Sequence, residues 1–399
     1  MKKTLLAAAL VIGYAGIAQA ADTSVTLYGL IDTGIGYQQV KGNDANGHSF
    51  KESKTGLTTG IESGSRWGVK GTEDLGQGLQ AIFQLESGFD SRTGVQSQSS
   101  ASSDRLFGRQ ATIGLQGKSW GRLDFGRQFD ISTKYLNPID PFSGAFGQAR
   151  MGAVFSSTSK MRWDNMVMYQ TPNFSGFQFG AGYSFNVDGG QAFKVSGVDD
   201  RNSRGITTGL RYANGPINVA LSWNQIKTGT PGVSGGTGVA LGDADTNIST
   251  WVLGGTYDFA VAKIALAFGQ TRNGWMQGLT YGGTVAAVPG SSIATATNLP
   301  TFYGAQGLRV NSYLVGLTAP VGSGAILASW TMADPRDSAD NPANFFGGDL
   351  AKQNTYNLGY TYGMSKRTDL YAVASYAKNA SFQRDLKSTF VSVGIRHRF

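Results

Sequence analysis

The side chains that most often carry chemistry are scarce in this 399-residue chain, which has two histidines, His48 and His397, and no cysteine. A serine protease or lipase centre needs a histidine beside a serine and a carboxylate, and neither histidine stands in such a local motif. Without cysteine there is no disulfide framework and no thiolate metal site, and no histidine cluster offers a zinc site. Asp243 and Asp245 are a pair of calcium-type oxygens in a glycine-rich stretch, where two carboxylates are ordinarily just solvated. The sequence thus points to no catalytic residue, metal or cofactor. Charge placed for electrostatics is left. The stretch from Asp130 to Lys160, DISTKYLNPIDPFSGAFGQARMGAVFSSTSK, holds Asp140 between Pro138 and Pro141, while arginines stand at strand-like positions elsewhere.

Such a long connection in a compact protein is usually functional or disordered. Tyr135, Leu136, Ile139, Phe142, Phe146, Val154 and Phe155 give this one enough apolar surface to pack, and the two prolines stiffen it. Its surroundings are exported. Lys2 and Lys3, the apolar run from Leu5 to Ala18 and the Ala18-Gln19-Ala20 end have the layout of a secretory signal peptide, so residues 1–20 are expected to be removed and 21–399 to form one domain. The mature chain has no apolar run long enough for a transmembrane helix. Its formal charge falls from +8 to 8 − 2 = +6 once Lys2 and Lys3 are gone. That modest excess suits anions in general and argues for no nucleic-acid partner. Glycine, at 57 residues against 10 prolines, suits many strands joined by tight turns.

Periodicity sets the class. Val25, Leu27, Ile31, Ile35 and Tyr37 share one face and Thr26, Asp32, Gly34 and Gly36 the other, with Tyr28 and Leu30 as exceptions. Leu79, Ala81, Phe83 and Leu85 oppose Gln80, Gln84 and Glu86 in the same way. Sixteen such segments run from 25–37 to 388–399. Among them are 65–74, 105–117, 122–129 and 161–172. Short turns such as Asn214-Gly215-Pro216 alternate strictly with long connections, the longest from Asn273 to Leu308. An antiparallel meander that sorts its connections by length is expected of an outer-membrane barrel, whereas a soluble β-sandwich has no reason to do so. In the last strand Val391, Val393, Ile395, His397 and Phe399 share the face assigned to lipid, opposite Ser392, Gly394, Arg396 and Arg398.

Val25-Thr26-Leu27-Tyr28-Gly29 with Asp32, Ser65-Arg66-Trp67-Gly68-Val69-Lys70-Gly71-Thr72-Glu73-Asp74-Leu75-Gly76, Phe107-Gly108-Arg109-Gln110-Ala111, Phe125-Gly126-Arg127-Gln128 and Arg396-His397-Arg398-Phe399 occur in this order. Together they resemble the Gram-negative general porins, in their betaproteobacterial branch. The resemblance implies an all-β, 16-stranded antiparallel transmembrane barrel whose long third loop, here 131–160, folds into the lumen as a constriction. It implies a homotrimer in the cell outer membrane, in contact with membrane lipid and lipopolysaccharide and inserted by the barrel assembly machinery with Phe399 as assembly signal. Small ions and solutes would pass through. It places Arg66, Arg109 and Arg162 on the wall facing Asp140 on the loop. Where the family often has Pro-Glu-Phe-Gly-Gly, this loop reads Asp140-Pro141-Phe142-Ser143-Gly144, a sparser acidic side.

Strand alternation supports Arg66, which opposes Trp67 and Val69. It also supports Arg162, set against Trp163, Val167 and Tyr169, though Met166 and Met168 then fall unexplained on the polar side. Arg109 shares parity with Ala111, Ile113 and Leu115, so a bulge or a subunit-facing segment is needed to turn it inward. Lys70, Arg127 and Lys134 are further candidates. The expected function is passive diffusion of small hydrophilic solutes with anion preference, and no enzymatic step. A substrate-specific sugar channel, with aromatics lining the lumen, and a structural or adhesive barrel are the alternatives.

Overall fold

The computed structural model describes residues 23–43, 48–98, 104–158, 161–197, 200–229, 245–276, 302–337 and 350–399. Its strands form one antiparallel sheet. The expected leader, residues 1–20, lies outside the described residues, as does Asp243. Among the described residues sixteen wall strands follow in order. The first eight are β1 (Ser24–Asn43), β2 (two pieces, Ser49–Thr59 and Arg66–Gly76), β3 (Leu79–Phe89), β4 (Gln110–Gly117, with an outlying Gln96–Ser97), β5 (Gly121–Phe129), β6 (Arg162–Trp163 and Met166–Gln170), β7 (Phe177–Ser184) and β8 (Arg204–Asn214). The rest are β9 (Ile217–Lys227), β10 (Asn247–Asp258), β11 (Lys263–Met276), β12 (Phe302–Val321), β13 (Gly324–Asp337), β14 (Gln353–Gly363), β15 (Thr368–Lys378) and β16 (Lys387–Arg398).

Closure comes from β1, which pairs with β2 on one side and with β16 on the other, from Leu30 opposite Arg398 to Lys41 opposite Lys387. The last residue joins the seam: Phe399 N donates to Gly29 O and Gly29 N to Phe399 O, both at 3.0 Å. Among the described residues no sheet edge is left open, the condition for a strand-built structure in lipid. Alternation sorts the two faces as expected. Leu27, Ile35, Leu266 and Val393 are exposed on the outside, while Asp32, Thr271 and Ser392 are buried inside.

The sheet is longer than the periodicity suggests. β2 includes Ser49–Thr59, which pairs with the upper half of β1 and falls outside the periodic segments because Phe50 and Leu57 are its only large apolar residues and it carries no alternation to detect. β12 begins at Phe302 and β11 runs to Met276, past an irregularity at Asn273, whose φ is positive. In the other direction, β4 starts at Gln110 rather than at 105.

Residues 130–158 pack against the inner wall. Asp130 caps α1 (Ile131–Leu136), accepting from Thr133 N at 2.9 Å and from Asn224 Nδ2 of β9 at 3.0 Å. Ile131 N then donates to Thr207 Oγ1 of β8 at 2.9 Å. Further on, Ser156 meets Thr271 of β11 at 2.9 Å, Ser312 Oγ of β12 donates to Val154 O at 2.5 Å, and Gln353 Nε2 of β14 donates to Ala153 O at 3.1 Å. Ser388 Oγ of β16 donates to Gln148 Oε1 at 2.7 Å, and Phe146 N donates to Ile61 O, in the break of β2, at 2.6 Å. These partners span most of the circumference, so the segment crosses the inside of the barrel.

Glycines in the wall make room for it. A Cβ on Gly180 of β7 would lie 2.4 Å from Ile131 Cδ1, and one on Gly316 of β12 would lie 2.4 Å from Pro141 Cγ. Part of the high glycine content therefore serves the loop and not the turns. The loop also accounts for the two inward methionines of β6: Met166 and Met168 are buried in one apolar cluster with Ile131, Tyr135 and Leu136 of the loop. Trp163, expected to face lipid, is 1% exposed in the same cluster. Asn165, at φ 47°, breaks β6 between its two pieces and interrupts the alternation on which that expectation rested.

Candidate functional site

A cavity of about 530 Å³ lies between the loop segment Asn137–Phe146 and the wall. Its charged lining residues are Glu62, Arg66, Arg109, Asp140, Lys263 and Arg396. Two groups of ion pairs organise the wall side, one on β2–β4 and one on the closing seam.

In the first group Glu86, buried on the inner face of β3, receives Arg109 Nε at 2.7 Å, lies 3.8 Å from Arg66 Nη1 and accepts from Tyr28 OH at 3.1 Å. Tyr28, an exception to outward alternation, is thus an inward hydrogen-bond donor. Arg66 also donates through Nε to Gly64 O at 2.9 Å, which holds its guanidinium beside the break in β2. Arg109 precedes β4: its N–H bonds Glu86 O at 3.1 Å while Gln110 is the register partner of Glu86. The strand parity that turned Arg109 toward lipid does not govern a residue outside the ladder, and its side chain points inward.

Arg162 stands behind this group. Its Nε donates to Arg109 O at 2.6 Å and its guanidinium lies 4.2 Å from the centre of the Phe129 ring, which itself lines the cavity. Arg127 is turned elsewhere, to Gly108 O at 2.8 Å and to Asp164, where Arg105 also binds at 3.0 Å. Lys70 is exposed over the Tyr28 ring at 5.5 Å, nearer the short-turn end. Lys134 donates to Gln128 Oε1 at 2.9 Å from α1. Burial pulls its ammonium down to about 8, against the opposing pull of Asp124. Neither Lys70, Arg127, Lys134 nor Arg162 lines the cavity; Arg66, Arg109 and Asp140 do.

The Asp140 carboxylate is turned into its own loop. Oδ1 accepts from Phe142 N at 3.0 Å, and Oδ2 accepts from Gly144 N at 2.8 Å and from Met151 N at 2.9 Å. It closes the bend that the two prolines begin. Buried Asp130 is pushed up by loss of water, while the Tyr135 phenol is pushed up to about 12 for the same reason.

The second group was not anticipated. Arg396 of β16 binds Glu62 at 2.8 Å, Asp369 of β15 at 3.0 Å and Ser63 Oγ at 2.7 Å. Arg396 is the register partner of both Asp32 and Asp369. Asp32 in turn accepts from Tyr371 OH and Ser63 N, both at 2.6 Å. The inward parity of Arg396 is legible in the last strand, but Glu62 sits in a strand break with no periodic signal.

A model of the Gram-negative porin family matches residues 5–381. An outer membrane porin protein of Bordetella pertussis is 53% identical across the whole of both chains, and outer membrane porin protein 32 of Delftia acidovorans is 31% identical, again across both. Among solved structures, an anion-selective porin from Comamonas acidovorans covers 94% of this chain and 100% of its own, with a TM-score of 0.67 at 28% identity. OmpF of Salmonella typhi shares the fold at a TM-score of 0.57 and 16% identity. With its closed sixteen-stranded wall, the chain belongs to the Gram-negative porin family and is an outer-membrane channel for passive diffusion.

Proposed function

We propose that this porin prefers anions and that residues 131–160 form its constriction, selecting by size and charge without a chemical step. The observation that carries this reading is the lining of the loop–wall cavity, where Arg66, Arg109, Lys263 and Arg396 outnumber Glu62 and Asp140. One of the two carboxylates, Asp140, is already engaged by three backbone N–H groups. A cationic ring in a narrow, partly dehydrated section raises the local concentration of anions. Arg162 and Arg127 support the field from behind the lining, with Lys70 and Lys134 below it. The anion selectivity of the Comamonas relative agrees with this reading.

The assembly we infer is a homotrimer embedded in outer-membrane lipid and lipopolysaccharide, delivered through the barrel assembly machinery with Phe399 as its signal. The exposed Phe399 side chain and its paired backbone at the seam suit a residue read before closure. Planar-bilayer recordings test the channel reading: discrete ohmic steps are expected, and current blocked by one sugar at low concentration would point instead to a substrate-specific channel. Native crosslinking should yield a three-subunit species.

A further inference from the structure

Four cations stand on the outer face of the wall, at positions that share the outward parity of exposed apolar residues further along their strands. They are Arg204 on β8, Lys227 on β9, Arg272 on β11 and Arg309 on β12, in line with Ile206, Leu221, Leu266 and Val315. Register makes like-charge pairs of them: Arg204 lies opposite Lys227 and Arg272 opposite Arg309. Like charges directly opposed across a ladder are destabilising. Carboxylates partly offset three of the four, with Asp200 at 2.6 Å from Arg204, Asp245 at 2.9 Å from Lys227 and Asp337 at 3.0 Å from Arg309. Arg272 donates to Gln270 Oε1 at 2.6 Å and has no carboxylate within ion-pair distance among the described residues.

The height of the row matters. Tyr257 and Phe259, with ring centres 4.5 Å apart, mark the outer aromatic level at the short-turn end. Asn247, which pairs with Lys227, is separated from Tyr257 by about ten residues of β10. That is roughly 34 Å of strand, or about 26 Å along the axis at a tilt near 40°. The apolar band of such barrels is about 25 Å tall. The cations therefore sit at the opposite interface and not above it. One outward position below the two arginines lie Gln270 and Asn311, bonded at 2.8 Å, and below that pair Phe268 and Tyr313 join Trp251 in a continuous aromatic row, with ring centres 5.3 and 5.0 Å apart.

We propose that this row, centred on Arg272 and Arg309, is a binding site for a phosphate-bearing lipid headgroup of the outer leaflet. A phosphate between the two guanidiniums receives charge-assisted N–H bonds from both and replaces their repulsion by attraction. The aromatic row beneath packs the start of the acyl chains. The inference rests on the membrane-partner reading above and assigns it a place. It is independent of the pore field, because these side chains point away from the lumen.

The test uses the full-length protein purified in detergent and exposed to bis-phosphorylated lipid A, with the lipid retained per barrel measured by mass spectrometry after washing. Wild-type protein is expected to retain it, and the Arg272→Gln, Arg309→Gln double variant to bind at least about tenfold more weakly, at about fivefold per interfacial cation lost. Because a like-charge pair is removed, the variant should melt no lower than wild type. Equal retention by the variant would overturn the site. So would equal retention of fully dephosphorylated lipid A, which would assign binding to acyl contacts. Saturation of the site by millimolar inorganic phosphate alone would reduce it to a free-anion site and overturn the headgroup assignment, and crosslinking of row residues between copies would assign the face to a subunit contact. Bilayer conductance and salt-gradient potential, recorded on the same variant, should match wild type; a channel that failed there would contradict the pore reading and leave the lipid assignment standing.

Discussion

Arg109 and Glu86 meet twice, through Arg109 N–H to Glu86 O at 3.1 Å and through Arg109 Nε to Glu86 Oε1 at 2.7 Å. The first contact fixes where the chain enters β4, and the second fixes where the guanidinium points. One acid thus orients two of the lining arginines, since Arg66 Nη1 lies 3.8 Å from the same oxygen.

Glu86→Gln should therefore free positive charge without removing the hydrogen-bond acceptor. Anion preference in a salt gradient is expected to rise, and the barrel to lose on the order of 1–3 kcal/mol, because a charge-assisted bond to a buried guanidinium becomes a neutral one. A thermal melt together with the zero-current potential reads both. Unchanged selectivity with lowered stability would make Glu86 a structural residue only.

Asp140→Asn should act mainly on the loop. One carboxylate holds three backbone N–H groups, which an amide cannot all satisfy. The expected result is noisier open-channel current and faster proteolysis within 137–151, with a cost of about 1–3 kcal/mol. If selectivity shifted strongly while current noise and proteolysis stayed as in wild type, the carboxylate would be acting on permeating ions directly.

Lys134 makes the loop and the field depend on pH. Its ammonium titrates near 8 in the folded protein, against about 10.4 in an unfolded chain. Between those values the unfolded chain binds more protons, so stability of the docked loop rises with pH across that window, and the full cost of holding a buried ammonium is present below about 8. Over the same window the lumen loses one positive charge, so anion preference should fall from pH 7 to pH 9.5. Lys134→Met should flatten the profile. A wild-type potential that is constant across this range would rule the effect out.

Gly316 and Gly180 should tolerate no side chain while the loop stays seated. Gly316→Val would press on Pro141 and Gly180→Val on Ile131, each site offering only 2.4 Å. Overpacking of this kind costs about 1–3 kcal/mol. The expected readout is a loop partly displaced, with raised conductance and protease sensitivity. A glycine on an inward position without a loop contact, such as Gly56, serves as the control.

The class of the fold was legible because two independent patterns agreed, period-two alternation and connections sorted by length. Sixteen strands and the closing seam follow from them. Ser49–Thr59 carries no alternation and so gave no signal, and the positive φ at Asn165 breaks the alternation that would have turned Trp163 toward lipid. Met166 and Met168 contradicted the pattern for a physical reason: part of the lumen is dry because the loop fills it. Of the site, Arg66 was legible from parity, and Arg109 only through resemblance. Glu62 and Glu86 were missed as partners because ion pairs across strands depend on register, which alternation alone does not fix. Asp140 was legible as the loop carboxylate, while its use as a backbone acceptor depends on a bend no periodicity encodes.

The central claim is that wall arginines give this channel its preference for anions. The most direct measurement is the zero-current potential of single channels in a tenfold potassium chloride gradient, for wild type and for Arg66→Ala with Arg162→Ala. The account predicts a potential of the sign for chloride permeation in wild type, reduced in the double variant. A wild-type potential near zero or of cation sign, or a double variant indistinguishable from wild type, would contradict it.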